Sequence, residues 1–186
     1  MSDGLFYNDL RTPFITTDIA AVTLAATNKA LYPVENFPAL GGQYFGFLGK
    51  KIRIRLFGRI TTGATPGNLT VGVLYGTGAD ANGVVLASSA AVALTASQTN
   101  LSWQMEIYAH CRKTGATGNL FVTGRFQANI GVLGSTLQPV LIPASAPATS
   151  GNCDLTAALI LSCQALRSGS TAETMQVHDM EVVALN

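Results

Sequence analysis

The sequence predicts an all-β fold: an antiparallel β-sandwich of about eight strands with an extended N-terminal arm. Two observations predict it. Apolar and polar residues alternate with period two along several segments, and connections rich in Gly, Thr, Ser and Asn separate those segments. Because eight strands in two packed sheets is the count of a jelly roll, a jelly-roll-like topology is favoured, with an immunoglobulin-like sandwich as the alternative.

Four segments alternate most strongly, and each places its apolar side chains on one face. They are KIRIRLFGRI (51–60), LSWQMEIYAHC (101–111), NLFVTGRFQANI (119–130) and DLTAALILSCQAL (154–166). Shorter strands fit residues 19–26, 69–75 and 90–96. The last strand, residues 174–185, changes phase near His178 and Asp179, which predicts a β-bulge there.

Residues 1–18 form the predicted N-terminal arm. Its Phe6, Tyr7 and Phe14 make it too aromatic for a disordered tail. We expect these side chains to pack on a neighbouring subunit or over the sandwich of their own chain.

Residues 19–186 are predicted to form a single sandwich domain. Within it, residues 134–152 form a long Pro/Ser/Ala-rich loop, and loops of this length are usually functional or interfacial. The loop carries apolar side chains that need cover and are candidates for partner contact: Leu137, Val140, Leu141 and Ile142.

The composition is poor in charge. Charged residues make up 11% of the 186 residues, against about 25% in an ordinary soluble protein. The surface is therefore expected to be mostly neutral and partly covered by partners, as in assembled particles. No apolar run reaches the length of a membrane span, and the first residues show no signal segment. We therefore expect synthesis in the cytoplasm without a signal peptide.

A loop sequence occurs three times: TGATPGNL (62–69), TGATGNL (114–120) and a weaker copy, SGSTAETM (168–175). Gly permits positive φ, and Thr and Asn hydrogen-bond nearby backbone, so this sequence favours a tight reversal between strands. Contact with a ligand is the alternative interpretation.

A basic stripe lies on one face of the strand at residues 51–60. Its members are Lys51, Arg53, Arg55 and Arg59. Three interpretations stay open: a solvated face or one paired across strands with acids such as Glu106 or Glu181, contact with an acidic protein surface, and nucleic-acid binding, which is the least favoured.

No catalytic, cofactor-binding or metal-binding residues are predicted. The two histidines, His110 and His178, have no nucleophile motif beside them. Cys111, Cys153 and Cys163 lack metal-ligand spacing and are expected to be reduced and buried. An enzyme is the least favoured class of function, and we expect the chain not to be one.

The run from Trp103 to Gly124 resembles the sandwich-forming head proteins of tailed bacteriophages, in which a strand with Trp leads through Arg-x-x-Gly-x-x-Gly into the next strand. Here that motif begins at Arg112. The strand start at Cys153 and the terminal segment from Val177 fit the same layout, and the resemblance covers residues 50–186. It implies a protein that decorates or cements a capsid, often as a trimer.

We therefore expect a non-enzymatic virion structural protein that binds the outside of a phage capsid and stabilises it. Its partners would be copies of itself, with a trimer favoured, and the major capsid protein of the same particle. No cofactor and no membrane partner are expected. The alternatives are a receptor- or glycan-binding module of a phage fibre or tail, and a shell-forming jelly-roll capsid protein.

Overall fold

The computed structural model describes residues 19–33, 40–129, 131–134, 139–146 and 148–185. Within these ranges the chain forms eleven β-strands and no helix, so the all-β prediction is confirmed. It follows that no helix of this part of the chain could cross a membrane. The predicted arm, with Phe6, Tyr7 and Phe14, and the loop residue Leu137 lie outside the described residues.

The strands build two antiparallel sheets. In chain order the strands are β1 (Val22–Thr23), β2 (Lys29–Ala30), β3 (Lys51–Thr61), β4 (Asn68–Gly76), β5 (Val84–Ser88), β6 (Val92–Ala93), β7 (Leu101–Lys113), β8 (Asn119–Ala128), β9 (Val140–Ile142), β10 (Ile160–Arg167) and β11 (Thr174–Ala184). One sheet has the order β1-β11-β3-β7-β8-β9, and the other has the order β2-β10-β4-β5, with β6 also paired to β4. The predicted two-sheet sandwich is therefore confirmed.

The strand boundaries correct the sequence analysis in two places. The count of about eight strands was low because β2, β5 and β9 were not predicted, and β2 and β9 have only two or three residues, too few to show alternation. The strand predicted from residue 154 begins at Ile160, because Asp154 ends the preceding loop as a turn. Its Oδ1 accepts hydrogen bonds from the backbone N–H and the hydroxyl of Thr156, at 2.9 and 2.6 Å. The predicted bulge is confirmed, since the register of β11 on β3 shifts between Val177 and Asp179.

The core lies between the sheets and is built from the predicted alternation. The inward side chains of β3, Ile52, Ile54, Leu56 and Ile60, are each 0% exposed. The cysteines Cys111, Cys153 and Cys163 are free and buried, as predicted. Burial raises the pKa of each thiol, that of Cys163 to about 12, which keeps all three protonated near neutral pH.

Strand β10 is buried on both faces over Ile160–Ala165, although its alternation predicted one wet face. The loop between β4 and β5 folds back over it. The side chain of Gln164 accepts a hydrogen bond from the backbone N–H of Ala81 and donates one to the carbonyl of Ala79, both at 3.2 Å. Asp80 anchors that loop to β2 through Lys29, at 2.6 Å. A loop far along the chain thus covers this face.

The three copies of the repeated loop sequence form two different kinds of connection. Residues 62–67 and 168–173 both carry the chain from one sheet to the other, and they pack against each other at one corner of the sandwich. The backbone N–H of Ser168 donates to the carbonyl of Asn68, and the N–H of Asn68 donates to the hydroxyl of Ser168, both at 3.0 Å. The middle copy joins β7 to β8 within one sheet. The contacts of the corner loops agree with the turn interpretation.

The corner is also held by a buried carboxylate. Glu173 is 0% exposed. Its Oε2 lies 2.9 Å from Nε of Arg167 and forms an ion pair with it. This pair is not a hydrogen bond, because the Nε–H of Arg167 donates to the carbonyl of Leu24. Its other oxygen accepts a hydrogen bond from the hydroxyl of Thr171. The one carboxylate in the three loops is therefore used inside the fold.

Candidate binding face on the six-stranded sheet

The basic stripe lies on the outer face of the six-stranded sheet. Since the inward side chains of β3 fill the core, Lys51, Arg53, Arg55 and Arg59 face away from it. Strands β11 and β7 flank β3 on its two sides. The partners of the stripe are therefore set by the register of these three strands.

The register places opposite charges side by side in one row. Glu181 of β11, Arg55 of β3, Glu106 of β7 and Arg125 of β8 are successive Cα partners. Nε of Arg55 lies 2.8 Å from Glu106, and Nη1 of Arg55 lies 3.7 Å from Glu181. Nη2 of Arg125 lies 3.0 Å from Glu106. We call these four residues the charge row.

Glu106 is the centre of the charge row. Its side chain is 12% exposed. One carboxylate oxygen accepts from Arg55 and, at 3.3 Å, from the hydroxyl of Tyr108, while the other contacts Arg125. Burial by itself would raise the pKa of Glu106, but the hydrogen bond from Arg55 and the two guanidinium charges lower it below the ordinary value. Glu106 therefore stays ionised and holds both guanidinium groups in place.

The rest of the stripe also has neighbours on adjacent strands. Arg53 pairs with Glu181 at 3.2 Å, Arg59 donates to the side chain of Gln176 at 2.9 Å, and the ammonium group of Lys51 lies 5.0 Å from the ring centre of Tyr108. Pairing across strands with Glu106 and Glu181, one of the three open interpretations, is thus confirmed for Arg53 and Arg55.

Two adjoining depressions lie beside the charge row, with volumes of about 210 and 420 Å³. Phe57, Gln104 and Gln127 line both of them. The ring of Phe57 is 37% exposed, and the amide of Gln104 donates to that of Gln127 at 2.5 Å. The smaller depression adds Arg55, Glu106 and Arg125 to its wall. We call the two together the polar depression.

This face is more cationic than the chain as a whole. Between the rows of Lys51 and Arg59 it carries five cationic and three acidic side chains, which leaves a net charge of +2, whereas the whole sequence carries +1. The cations are Lys51, Arg53, Arg55, Arg59 and Arg125, and the acids are Glu106, Asp179 and Glu181.

The predicted contact residues of the long loop divide between core and surface. Val140 and Ile142 are 6% and 1% exposed, because they alternate inward along β9. Their assignment as partner-contact residues was therefore wrong, since the sandwich of their own chain covers them. Leu141 is 63% exposed and is the Cα partner of Arg125, so it extends the charge row at the sheet edge.

Sequence reasoning missed an apolar end of the same sheet. Phe47 and Leu48, in the loop before β3, are 45% and 66% exposed, and Leu185, after β11, is 41% exposed. The N–H of Leu185 donates to the carbonyl of Lys51 at 3.0 Å, which places it at the start of β3. We call Phe47, Leu48 and Leu185 the apolar end. The run YFGFL at residues 44–48 was the signal that could have found it.

The two histidines do not assemble a site with the groups that the structure describes. Burial, followed by the charges of Arg112 and Lys51, lowers the pKa of His110, which keeps its imidazole neutral. His178 lies at the bulge of β11. Among the described residues, no group of three or more His, Cys, Asp or Glu side chains is placed to hold a metal ion.

Comparisons with known proteins give little. No family model and no curated protein matches the chain. Among solved structures it is similar to a legume lectin-like domain from Entamoeba histolytica, with 9% identity, a TM-score of 0.36, and coverage of 91% of this chain and 87% of that one. It is also similar to an alginate lyase mutant in complex with an alginate trisaccharide, with 9% identity, a TM-score of 0.30, and coverage of 75% and 73%.

The comparison with the lyase corrects one expectation. We expected the chain not to be an enzyme, and this similar structure belongs to one. The expectation is contradicted and we withdraw it. With scores and identities this low, neither likeness assigns a ligand or a reaction to the chain.

Proposed function

We propose that the chain is a virion structural protein that binds the outside of a tailed-phage capsid and stabilises it, acting as a trimer. The sequence pattern from Trp103 to Gly124 supports the assignment to such particles. The observation that carries the proposal is the surface itself. Its charged side chains are few and pair with charges on adjacent strands, while large apolar side chains are exposed.

Pairing of charges within one face favours its burial against a partner. A charge that loses water without gaining a counter-charge costs several kcal/mol. The charge row holds two arginines and two glutamates, so its own charges sum to zero, and Glu181 also pairs with Arg53. A partner can therefore cover the charge row without supplying opposite charges at each position.

Burial of the apolar end supplies the favourable free energy of binding. Burying exposed apolar area releases roughly 25 cal/mol per Å², and Leu48 is 66% exposed with Phe47 beside it. A standard interface takes about 800 Å² from each partner, which is about a tenth of the 8629 Å² of this chain. The apolar end and the neighbouring sheet face together form the surface that we assign to capsid or subunit contact.

Co-sedimentation with particles that lack the protein tests the proposal. We expect the wild type to sediment with the particles. Leu48→Asp should sediment at least about tenfold less, because it places a charge in the contact. The control is Val85→Asp, a side chain that is 51% exposed on β5 of the other sheet. Failure of the wild type to bind any capsid surface, or equal loss in both variants, would contradict the proposal.

The mass in solution tests the trimer separately. Sedimentation equilibrium at micromolar concentration should give three times 19.4 kDa. A stable monomer at that concentration would rule out the trimer without ruling out capsid binding.

A further inference from the structure

We propose that the polar depression is a binding site for an acidic saccharide, that is, a short oligosaccharide carrying carboxylates. This goes beyond the proposed function, because capsid binding does not require the depression to hold a ligand. The proposal rests on the size of the depression, on the donors that surround it and on the apolar ring of Phe57 in its lining.

The shape suits a small ligand. The two parts of the depression, about 210 and 420 Å³, adjoin through Phe57, Gln104 and Gln127. Small-molecule sites are typically about 300–1,000 Å³ in volume, so the depression has room for a short oligosaccharide. An acidic protein surface would instead have to bury a broad flat area and would leave this recess unfilled.

The wall supplies more hydrogen-bond donors than acceptors. A guanidinium group has five N–H donors. The structure shows Nη2 of Arg125 engaged with Glu106, and the side chain of Arg125 is 52% exposed. Both oxygens of Glu106 are already taken by arginines. A ligand that supplies acceptors, and above all a carboxylate, complements this wall, because Arg55, Arg125 and Glu106 leave it a net charge of +1.

The remaining lining suits the two surfaces of a sugar ring. The exposed ring of Phe57 offers an apolar plane for the C–H face of a sugar. Beside it, the amides of Gln104 and Gln127 offer donors and acceptors for hydroxyl groups. Ser102 and Asn129 continue this polar lining along the larger part of the depression.

The donors are held before a ligand arrives. Arg55 is fixed between Glu106 and Glu181, and Gln104 is tied to Gln127. Side chains that are already ordered lose less conformational entropy on binding, and this raises affinity. The contacts across β11, β3, β7 and β8 therefore hold these side chains in place before a ligand binds.

Titration calorimetry with trigalacturonate, and with maltotriose as the neutral control, tests the site. We expect trigalacturonate to bind and maltotriose to bind at least about tenfold more weakly, since it lacks carboxylates. Arg125→Gln should weaken trigalacturonate binding about tenfold or more, and Phe57→Ser should weaken both sugars. The matched control is Lys113→Gln, which removes the same charge about 23 Å along β7 from Glu106 and should change affinity less than twofold.

Each other outcome overturns the assignment. Absence of trigalacturonate binding at millimolar concentration in wild-type protein that unfolds cooperatively would refute the site. Equal weakening by Arg125→Gln and Lys113→Gln would mean that only net charge attracts the ligand. A glutamate-rich peptide that binds more tightly than trigalacturonate, and that depends on Arg125, would assign the face to an acidic protein instead. Both proposals use the outer face of the six-stranded sheet, and the variants distinguish them. Leu48→Asp acts on co-sedimentation with capsids, whereas Arg125→Gln and Phe57→Ser act on saccharide binding.

Discussion

Substitution of Gly67 by Ala should strongly destabilise the corner where two copies of the repeated loop meet. A Cβ atom on Gly67 would overlap the backbone nitrogen of Gly169 and lie 2.5 Å from its Cα atom, whereas ordinary van der Waals contact begins at 3.4 Å. Both obstacles are backbone atoms and cannot rotate aside. The two loops would have to separate by roughly 1 Å.

The magnitude follows from what that separation breaks. The loops are joined by the two hydrogen bonds between Asn68 and Ser168 at 3.0 Å, each worth about 0.5–1.5 kcal/mol. Overpacking of a tight contact costs about 1–3 kcal/mol. We therefore expect Gly67→Ala to lower the free energy of unfolding by about 2–6 kcal/mol.

Equilibrium urea unfolding measures this loss, with two glycines as controls. Gly151→Ala meets no atom within 4 Å and should change stability by about 0.5 kcal/mol or less. Gly115 has a φ of +89° and open space around it, so its Ala variant should lose about 1 kcal/mol from backbone strain alone. If Gly67→Ala is no less stable than Gly151→Ala, the docking of the two loops is not what holds this corner.

Two further variants test the charged groups. Glu173→Ala should lower the free energy of unfolding by about 3–5 kcal/mol, because Arg167 keeps its charge in a nearly closed site. In urea titrations Glu173→Gln should lose less, since the bond from Thr171 survives, and equal losses would contradict that reason. Glu106→Gln should reduce the loss of unfolding free energy that occurs as the pH is lowered. The folded pKa of Glu106 lies below the ordinary value of 4.5, so its contribution is complete above that pH and is lost as pH falls through the folded pKa. Urea midpoints at pH 7 and pH 3 should therefore differ more for the wild type than for Glu106→Gln, and parallel curves would refute the role of Arg55 as its partner.

Alternation was sufficient to predict β3, β7, β8 and β11 and the inward side chains of β3. One face of that strand is buried and the other is polar, so a period of two appears directly in the sequence. The same reasoning named Glu106 and Glu181 as partners of the stripe, because acids on neighbouring outer faces are the available counter-charges. The bulge of β11 was visible as a change of phase.

Other features depend on contacts that alternation does not encode. The solvent-exposed face predicted for β10 is covered by the loop between β4 and β5, which hydrogen-bonds the side chain of Gln164. No local sequence pattern indicates that contact. Val140 and Ile142 are core residues because three residues of a long loop pair with β8. The polar depression depends on the register that brings Phe57 beside Gln104 and Gln127, and strand register is set by the whole sheet.

Calorimetry of capsids tests the central claim most directly. Particles that lack the protein should unfold at a measurably higher temperature after the purified wild type is added, because a ligand of the assembled shell stabilises it by mass action. Leu48→Asp should give no such shift, while Val85→Asp should shift the transition as the wild type does. A transition temperature that is unchanged by saturating wild-type protein would contradict the account.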